Sequence, residues 1–248
     1  MSIESIEDLE GITKIGKIVA QAREEMIKNA IEGMTTKELD YIGLEILDQN
    51  GAKSAPNKDY DFPGTTCISV NEEVAHGIPG EKILKKGDLI NIDVSAELDG
   101  YYADTGASFV IGSFDETKNK LCQCAEDALY KGISKAKRGS KVNQIGKEIF
   151  KVAKENEFNV VRNLAGHGIG KRLHEDPVSI SNYNNGSENQ LLTNGLVLAI
   201  ETFISTGSDY VVEADDRWTL HTPDGSLVAQ YEHTIIISND EPIIVTQL

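Results

Sequence analysis

Residues 88–111 read Asp88-Leu-Ile-Asn-Ile-Asp93-Val-Ser-Ala-Glu-Leu-Asp99-Gly100-Tyr-Tyr-Ala-Asp104-Thr-Gly-Ala-Ser-Phe-Val-Ile111. Ile90, Ile92 and Val94 alternate with Asn91, Asp93 and Ser95, the period of a half-buried strand. Asp99-Gly100 is a two-residue hairpin signal, and Tyr101 to Ile111 reads as the returning strand. A turn at that point sets Ser95 opposite Asp104, with Asp93 diagonally across on the same sheet face. Diagonal neighbours in a ladder are about 7–8 Å apart at the backbone. Carboxylates reaching inward from there could clamp two cations about 3.5–4 Å apart. Two solvated aspartates on an exposed sheet face would give the same pattern, and the hairpin alone leaves both readings open.

The pattern recurs. His76-Gly77-Ile78 precedes Gly87, and Asp93 follows that glycine by six residues. His167-Gly168-Ile169 precedes Gly195, and Glu201 follows by six residues again. A second strand in each half delivers another carboxylate, Asp104 and Glu232. The second half carries a longer insertion, which includes His174 and a polar segment over 182–189. Two similar halves packed about a pseudo-twofold axis would bring these carboxylates to a shared centre. Glu201 and Glu232 lie in runs too apolar for casual surface carboxylates, Leu-Ala-Ile before the first and Thr-Ile-Ile-Ile shortly after the second. A buried, unpaired glutamate becomes neutral, and a metal reverses that preference. A salt bridge to Lys or Arg is the alternative, but no basic residue is close in sequence. His167 lies between Gly166 and Gly168, which leaves its imidazole accessible to a metal; a turn histidine is the bland alternative. The same glycine-rich string lacks the spacing and the Ser/Thr of a phosphate loop.

Composition narrows the field. The chain has 248 residues, 40% of them hydrophobic, enough for a folded core. Its formal net charge of −16 argues against nucleic acid and anionic membrane as partners. No apolar run is long enough to span a bilayer, and the N-terminal stretch lacks the regions of a signal peptide, so a cytoplasmic location is expected. Three cysteines, Cys67, Cys122 and Cys124, form no paired framework, in keeping with a reducing compartment.

Along the chain, helices are predicted over 6–32, from Thr35 to about Gln49, over 116–137, and from a cap at Ser140 to Glu155. Thr35 with Glu38 makes a capping box. Residues 52–87 read as irregular with short strands, and Gly207 to Leu248 as a strand meander that includes Trp218. The order helix, helix, strands therefore repeats, in halves of about 1–112 and 113–248. Without a long linker, residues 1–248 are expected to form a single catalytic domain of α+β class.

The segments CISVNEEVAHGIP (67–79), NIDVSA (91–96), YYADTG (101–106), GHGIG with Leu-His-Glu (166–175), AIETF (199–203) and AQYEHT (229–234) resemble those of type I methionine aminopeptidases, in order and across nearly the whole chain. The resemblance implies the pita-bread fold, two pseudo-symmetric halves with antiparallel sheet flanked by helices. It implies two divalent metal ions (Co, Mn, Fe or Zn) held by Asp93, Asp104, His167, Glu201 and Glu232. It implies that His76 and His174 contact substrate and that Glu201 also shuttles a proton. Tyr60, Phe62, Cys67 and Trp218 would wall an apolar pocket for the first side chain. The implied reaction is removal of the N-terminal methionine from nascent polypeptides, preferring a small second residue, with a bridging hydroxide attacking the first peptide bond. The implied partners are nascent N-termini at the ribosome, and the implied state is a monomer. The family's proline after its first metal-binding glutamate is Thr202 here, and its aromatic before the second histidine is Leu173. Two alternatives stand beside this reading. One is an Xaa-Pro aminopeptidase or dipeptidase of the same fold, a kind that usually carries an extra N-terminal domain for which 248 residues leave no room. The other is a homologue that binds without catalysing.

Overall fold

The structure, a computed structural model, describes residues 1–112 and 114–248. Ser113, where the sequence divides the two halves, lies outside the described residues.

The first half opens with two helices, α1 (Ile6–Asn29) and α2 (Thr36–Gln49). Ser5 caps α1 by accepting from the Asp8 amide, and the Thr35–Glu38 capping box is fully formed at α2. Ile12, Ile15, Val19, Ala22 and Met26 of α1 are completely buried. Burial of each large one is worth roughly 1.5–3 kcal/mol over exposure. A short strand, β1 (Lys53–Ser54), leads to a helix the sequence did not predict, α3 (Ala55–Tyr60). Ser54 caps it and Pro56 sits in its first turn, a position where the missing N–H costs nothing. Strands β2 (Cys67–Val70), β3 (Glu73–Ala75), β4 (Leu89–Leu98) and β5 (Tyr101–Val110) follow.

The decisive hairpin has the predicted register, with Leu98 opposite Tyr101 and Ser95 opposite Asp104. Asp99 (φ 54°) and Gly100 (φ 83°) are both left-handed, as a type I′ turn requires. The strand is not half-buried as its alternation suggested. Nearly every residue of β4 is covered, because α1 packs on one face while the other faces the interior of the molecule.

The second half contains α4 (Glu116–Ile133) and α5 (Asn143–Glu155), then β6 (Asn159–Val160), β7 (Ala165–Gly168), β8 (Glu175–Ser181) and β9 (Val197–Ser205). It closes with β10 (Val212–Glu213), β11 (Leu220–His221), β12 (Val228–Ile236) and β13 (Ile243–Ile244). Three expectations shift here. Helix α4 stops at Ile133, four residues early, where Ser134 to Lys137 turn back in short hydrogen-bonded loops. Ser140 is not a cap: α5 begins at Asn143, preceded by Val142 with no side-chain cap, because the Ser140 amide closes a turn onto Lys137. Trp218 lies in the turn between β10 and β11, not in a strand.

Strands β1, β4, β2 and β5 form one antiparallel sheet, and β13, β12, β9, β7, β8 and β6 another. The sheets meet at β5 and β12, which are joined through side chains. Asp104 N donates to Thr234 Oγ1, which donates to Asp104 O (2.9 and 2.8 Å). Thr105 Oγ1 donates to Glu232 O (2.9 Å), and Ser108 Oγ to Gln230 O (2.9 Å). Three hydroxyls thus bind the halves where each presents a carboxylate.

Candidate metal centre and substrate cavity

Asp93 and Asp104 project from β4 and β5, His167 from β7, Glu201 from β9 and Glu232 from β12, and all five line one cavity of about 280 Å³. Ligand atoms of Asp104, His167 and Glu232 lie within 4.8 Å of one another. His167 Nε2 is 3.9 Å from Glu201 Oε1. Asp104, His167 and Glu232 are 7%, 5% and 2% exposed. Among the described residues, no lysine or arginine pairs with any of the four carboxylates. Asp104 Oδ1 and Glu232 Oε1 are buried with no hydrogen-bond partner.

Such crowding is hostile to ionised carboxylates. Burial pushes Asp93 up to about 6. It lifts Asp104, Glu201 and Glu232 well above the ordinary carboxylate range, reinforced in each case by the charges of the others. Orphaned buried oxygens on acids that repel one another describe a site built for cations. The donor set, carboxylate oxygens with one imidazole, suits first-row divalent ions. His167 completes it: Nδ1 lies 3.0 Å from Gly168 O, which assigns the proton to Nδ1 and leaves Nε2 as the free lone pair. Burial, then His174, push this imidazole down to about 3, so it is a neutral ligand-type nitrogen.

Two more histidines stand at the rim. His174 immediately precedes β8; its ring is 4.3 Å from that of His167, centroid to centroid, and its Nδ1 is 2.7 Å from Tyr60 Oη. His76 follows β3 in a left-handed conformation (φ 55°), unusual for a residue with a side chain and of the kind that collects at functional sites. Desolvation, then His174, lower the pKa of His76; desolvation lowers that of His174. Both are neutral at neutral pH.

The remaining wall is apolar. Phe62 and Trp218 meet edge-to-face at 5.2 Å, Cys67, Leu173, Pro56 and Tyr60 continue this wall, and Ser95 is the one hydroxyl-bearing aliphatic residue of the lining. Cys67 pairs with Asp93 across the ladder between β2 and β4, and burial raises its thiol pKa, so it is an inert wall rather than a nucleophile. Leu173 is 4% exposed and keeps the wall apolar where the family has an aromatic. Thr202 turns away from the cavity. Its hydroxyl donates to Ala125 O on α4 (3.0 Å), so the departure from proline anchors β9 to a helix and leaves Glu201 untouched.

Every site residue expected from the sequence is therefore brought together. What the sequence did not single out is their support. Asn182, fully buried, donates to Glu201 O (2.9 Å) and accepts from Phe203 N (2.7 Å), clamping the backbone on both sides of Thr202. Asp216 accepts from the amides of Trp218 and Thr219 (2.8 Å each). Gln230 donates to Glu232 Oε2 (3.0 Å). None of these has a one-dimensional signature: Asn182 bonds across the fold, Asp216 within an irregular turn, and Gln230 along a strand whose sequence does not mark the pair as buried.

A family model, metallopeptidase family M24, matches residues 10–239. Methionine aminopeptidase 2 of Bacillus subtilis is 57% identical over 249 aligned positions that cover 100% of both chains. The chain belongs to the methionine aminopeptidases of metallopeptidase family M24. A crystal structure of the methionine aminopeptidase from Thermotoga maritima superposes with a TM-score of 0.96 at 36% identity, covering 100% of both chains. Prolidase from Pyrococcus furiosus shares the pita-bread fold alone, with a TM-score of 0.78 at 22% identity; the match covers 99% of this chain and 65% of that one. Use of divalent metal is a property of family M24. Among the described residues no helix is long and apolar enough to cross a membrane.

Proposed function

We propose that the chain removes the N-terminal methionine of nascent polypeptides, with Asp93, Asp104, His167, Glu201 and Glu232 holding two divalent ions. The observation that carries the reading is the convergence of four carboxylates, two of them buried with unpartnered oxygens, on a cavity with an apolar wall. Divalent ions there would supply an activated water and a Lewis acid for the scissile carbonyl.

The protein's own groups divide the remaining work. Cys67, Phe62, Leu173 and Trp218 take the methionine side chain, whose flexible thioether packs well against aromatic edges and sulfur. The acidic centre favours a free α-ammonium nearby, with Asp93 oriented to it, so an internal peptide has nothing equivalent to offer. His174, neutral and with Nδ1 occupied by Tyr60, offers Nε2–H to the scissile amide oxygen. His76, in the same cavity, assists the departing amine. Glu201, which lines the cavity beside His167, carries the proton from water to the leaving nitrogen. On the same reading residues 1–248 form one catalytic domain of two related halves, acting as a monomer in the cytoplasm on chains emerging from the ribosome.

The test is hydrolysis of Met-Ala-Ser by metal-stripped protein reloaded separately with Mn(II), Co(II), Fe(II) and Zn(II). Metal-dependent release of methionine, absent with the N-acetylated peptide, is expected. Turnover of an Ala-Pro peptide instead would assign prolidase-type specificity. No hydrolysis by folded, metal-loaded protein would leave a binding role.

A further inference from the structure

Gln230 lies two residues before Glu232 on β12, is 2% exposed, and points to the same side of the strand. Its Nε2 donates to Glu232 Oε2 at 3.0 Å. The amide has only one workable orientation. Asn91 Nδ2 donates to Gln230 Oε1 at 2.7 Å and is also placed to donate to Ser108 Oγ at 3.2 Å. Turning the Gln230 amide over would set NH2 against NH2 at Asn91 and carbonyl against carboxylate at Glu232. Asn91 therefore fixes which end of Gln230 faces the acid.

Space for this amide comes from Gly106 on β5. A Cβ there would stand 2.1 Å from Gln230 Oε1 and 2.5 Å from Nε2. Gly106 is not in the left-handed region, so room rather than backbone conformation accounts for a glycine at this position. The result is asymmetric. Glu232 Oε2 is tied to Gln230, while Glu232 Oε1 is buried and unpartnered. A neutral donor achieves this without cancelling the negative charge, as a lysine or arginine would.

We propose that Gln230 is a positioning residue for the metal centre: its amide fixes the rotation of the Glu232 carboxylate and reserves Oε1 for a cation, with Asn91 and Gly106 holding the amide in place. The inference rests on the reading of Glu232 as a ligand. Outer-shell partners of this kind set metal affinity by roughly ten- to a hundredfold.

The test is calorimetric titration of metal-stripped protein with Mn(II) alone, with circular dichroism to verify folding. Wild type is compared with Glu232→Ala, Gln230→Met, Gly106→Ala and Tyr231→Phe. Gln230→Met removes the donor at similar length and Gly106→Ala displaces the amide while retaining it; Tyr231→Phe removes the bond from Tyr231 Oη to Ser108 O (2.6 Å) across the same seam without touching Asn91, the Gln230 amide or the Glu232 carboxylate. Gln230→Met and Gly106→Ala are expected to weaken Mn(II) binding roughly ten- to a hundredfold, and Tyr231→Phe by less than about threefold. Failure of wild type to bind Mn(II), or equal binding by Glu232→Ala, overturns the reading of the ligand and the inference with it. If those controls behave, a folded Gln230→Met or Gly106→Ala that binds within about threefold of wild type overturns the role of Gln230 alone. An equal loss in Tyr231→Phe does the same, since the seam as a whole would then set affinity.

Discussion

Tyr60 Oη lies 2.7 Å from Nδ1 of His174. Burial raises the phenol pKa and desolvation lowers that of the imidazole, so the hydroxyl donates and a neutral His174 accepts. The ring proton is thereby held on Nε2. Tyr60→Phe keeps the aromatic ring, which stands 5.7 Å from that of His174, but releases the tautomer. We expect kcat/KM for Met-Ala-Ser to fall roughly three- to tenfold, with an unchanged circular dichroism spectrum. Wild-type kinetics in this variant would show that the hydrogen bond does not orient the histidine for catalysis.

Glu201 combines two demands, ligand and proton carrier. Glu201→Gln preserves shape and one carbonyl oxygen but can neither balance charge nor accept a proton. General acid–base catalysis contributes about a hundred- to ten-thousandfold. We therefore expect kcat to fall by at least about a hundredfold, with the protein still folded. Turnover within about tenfold of wild type, measured with saturating Mn(II), would remove Glu201 from the proton path.

The apolar pocket depends on a turn. Trp218 is held against Phe62 because Asp216 accepts from the Trp218 and Thr219 amides and from Thr219 Oγ1 (2.6 Å). These same bonds hold the Asp216 carboxyl below the ordinary range despite an opposing desolvation cost. Asp216→Ala loosens the turn that holds Trp218 without altering any residue that lines the cavity. KM for Met-Ala-Ser should rise roughly three- to tenfold with kcat changed less than about twofold, the mark of lost uniform binding. A fall in kcat at constant KM would instead place the turn in the chemistry.

Much of this architecture was readable in one dimension because two-residue turns and period-two strands fix register. Asp99-Gly100 alone determined that Ser95 faces Asp104. The spacing from Gly87 to Asp93 and from Gly195 to Glu201 exposed the repeat, since each glycine turn feeds a buried strand of equal phase. Legibility stopped where bonds are non-local. Ser140 has the right chemistry for a cap, yet the turn from Lys137 and the pairing of Gly139 and Leu192 across the chain delay α5 by a few residues. Alternation made β4 look half-buried, because polar Asn91, Asp93 and Ser95 point toward the centre of the molecule rather than toward water. Gln230 looks like an ordinary polar strand residue until Asn91, Gly106 and Glu232 are seen around it.

The acids predict how stability responds to metal and pH. In the metal-free protein burial raises Asp93 to about 6 and lifts Asp104, Glu201 and Glu232 further. A carboxylate whose pKa is raised by folding favours the native state while protonated. That contribution is complete below the unfolded value of about 4 and is lost as pH climbs through the folded value. His167 and His233, both pushed down to about 3, act with the opposite sign, but only below about pH 6.5, where the unfolded imidazole takes up a proton. Above about pH 6.5 the acids set the slope, joined toward about pH 8.5 by Cys67, Cys122 and Cys124, whose thiols burial raises and which act with the same sign, and metal-free protein should melt at progressively lower temperature. Cation binding demands the ionised acids and expels their protons, so it strengthens as pH rises. The gap in Tm between Mn(II)-saturated and EDTA-treated protein should therefore be wider at about pH 8.5 than at about pH 6.5. Differential scanning calorimetry of both forms at the two pH values checks this. A constant gap, or metal-free protein that becomes more stable toward the higher pH, would mean that the four acids are not the ionising groups coupled to metal.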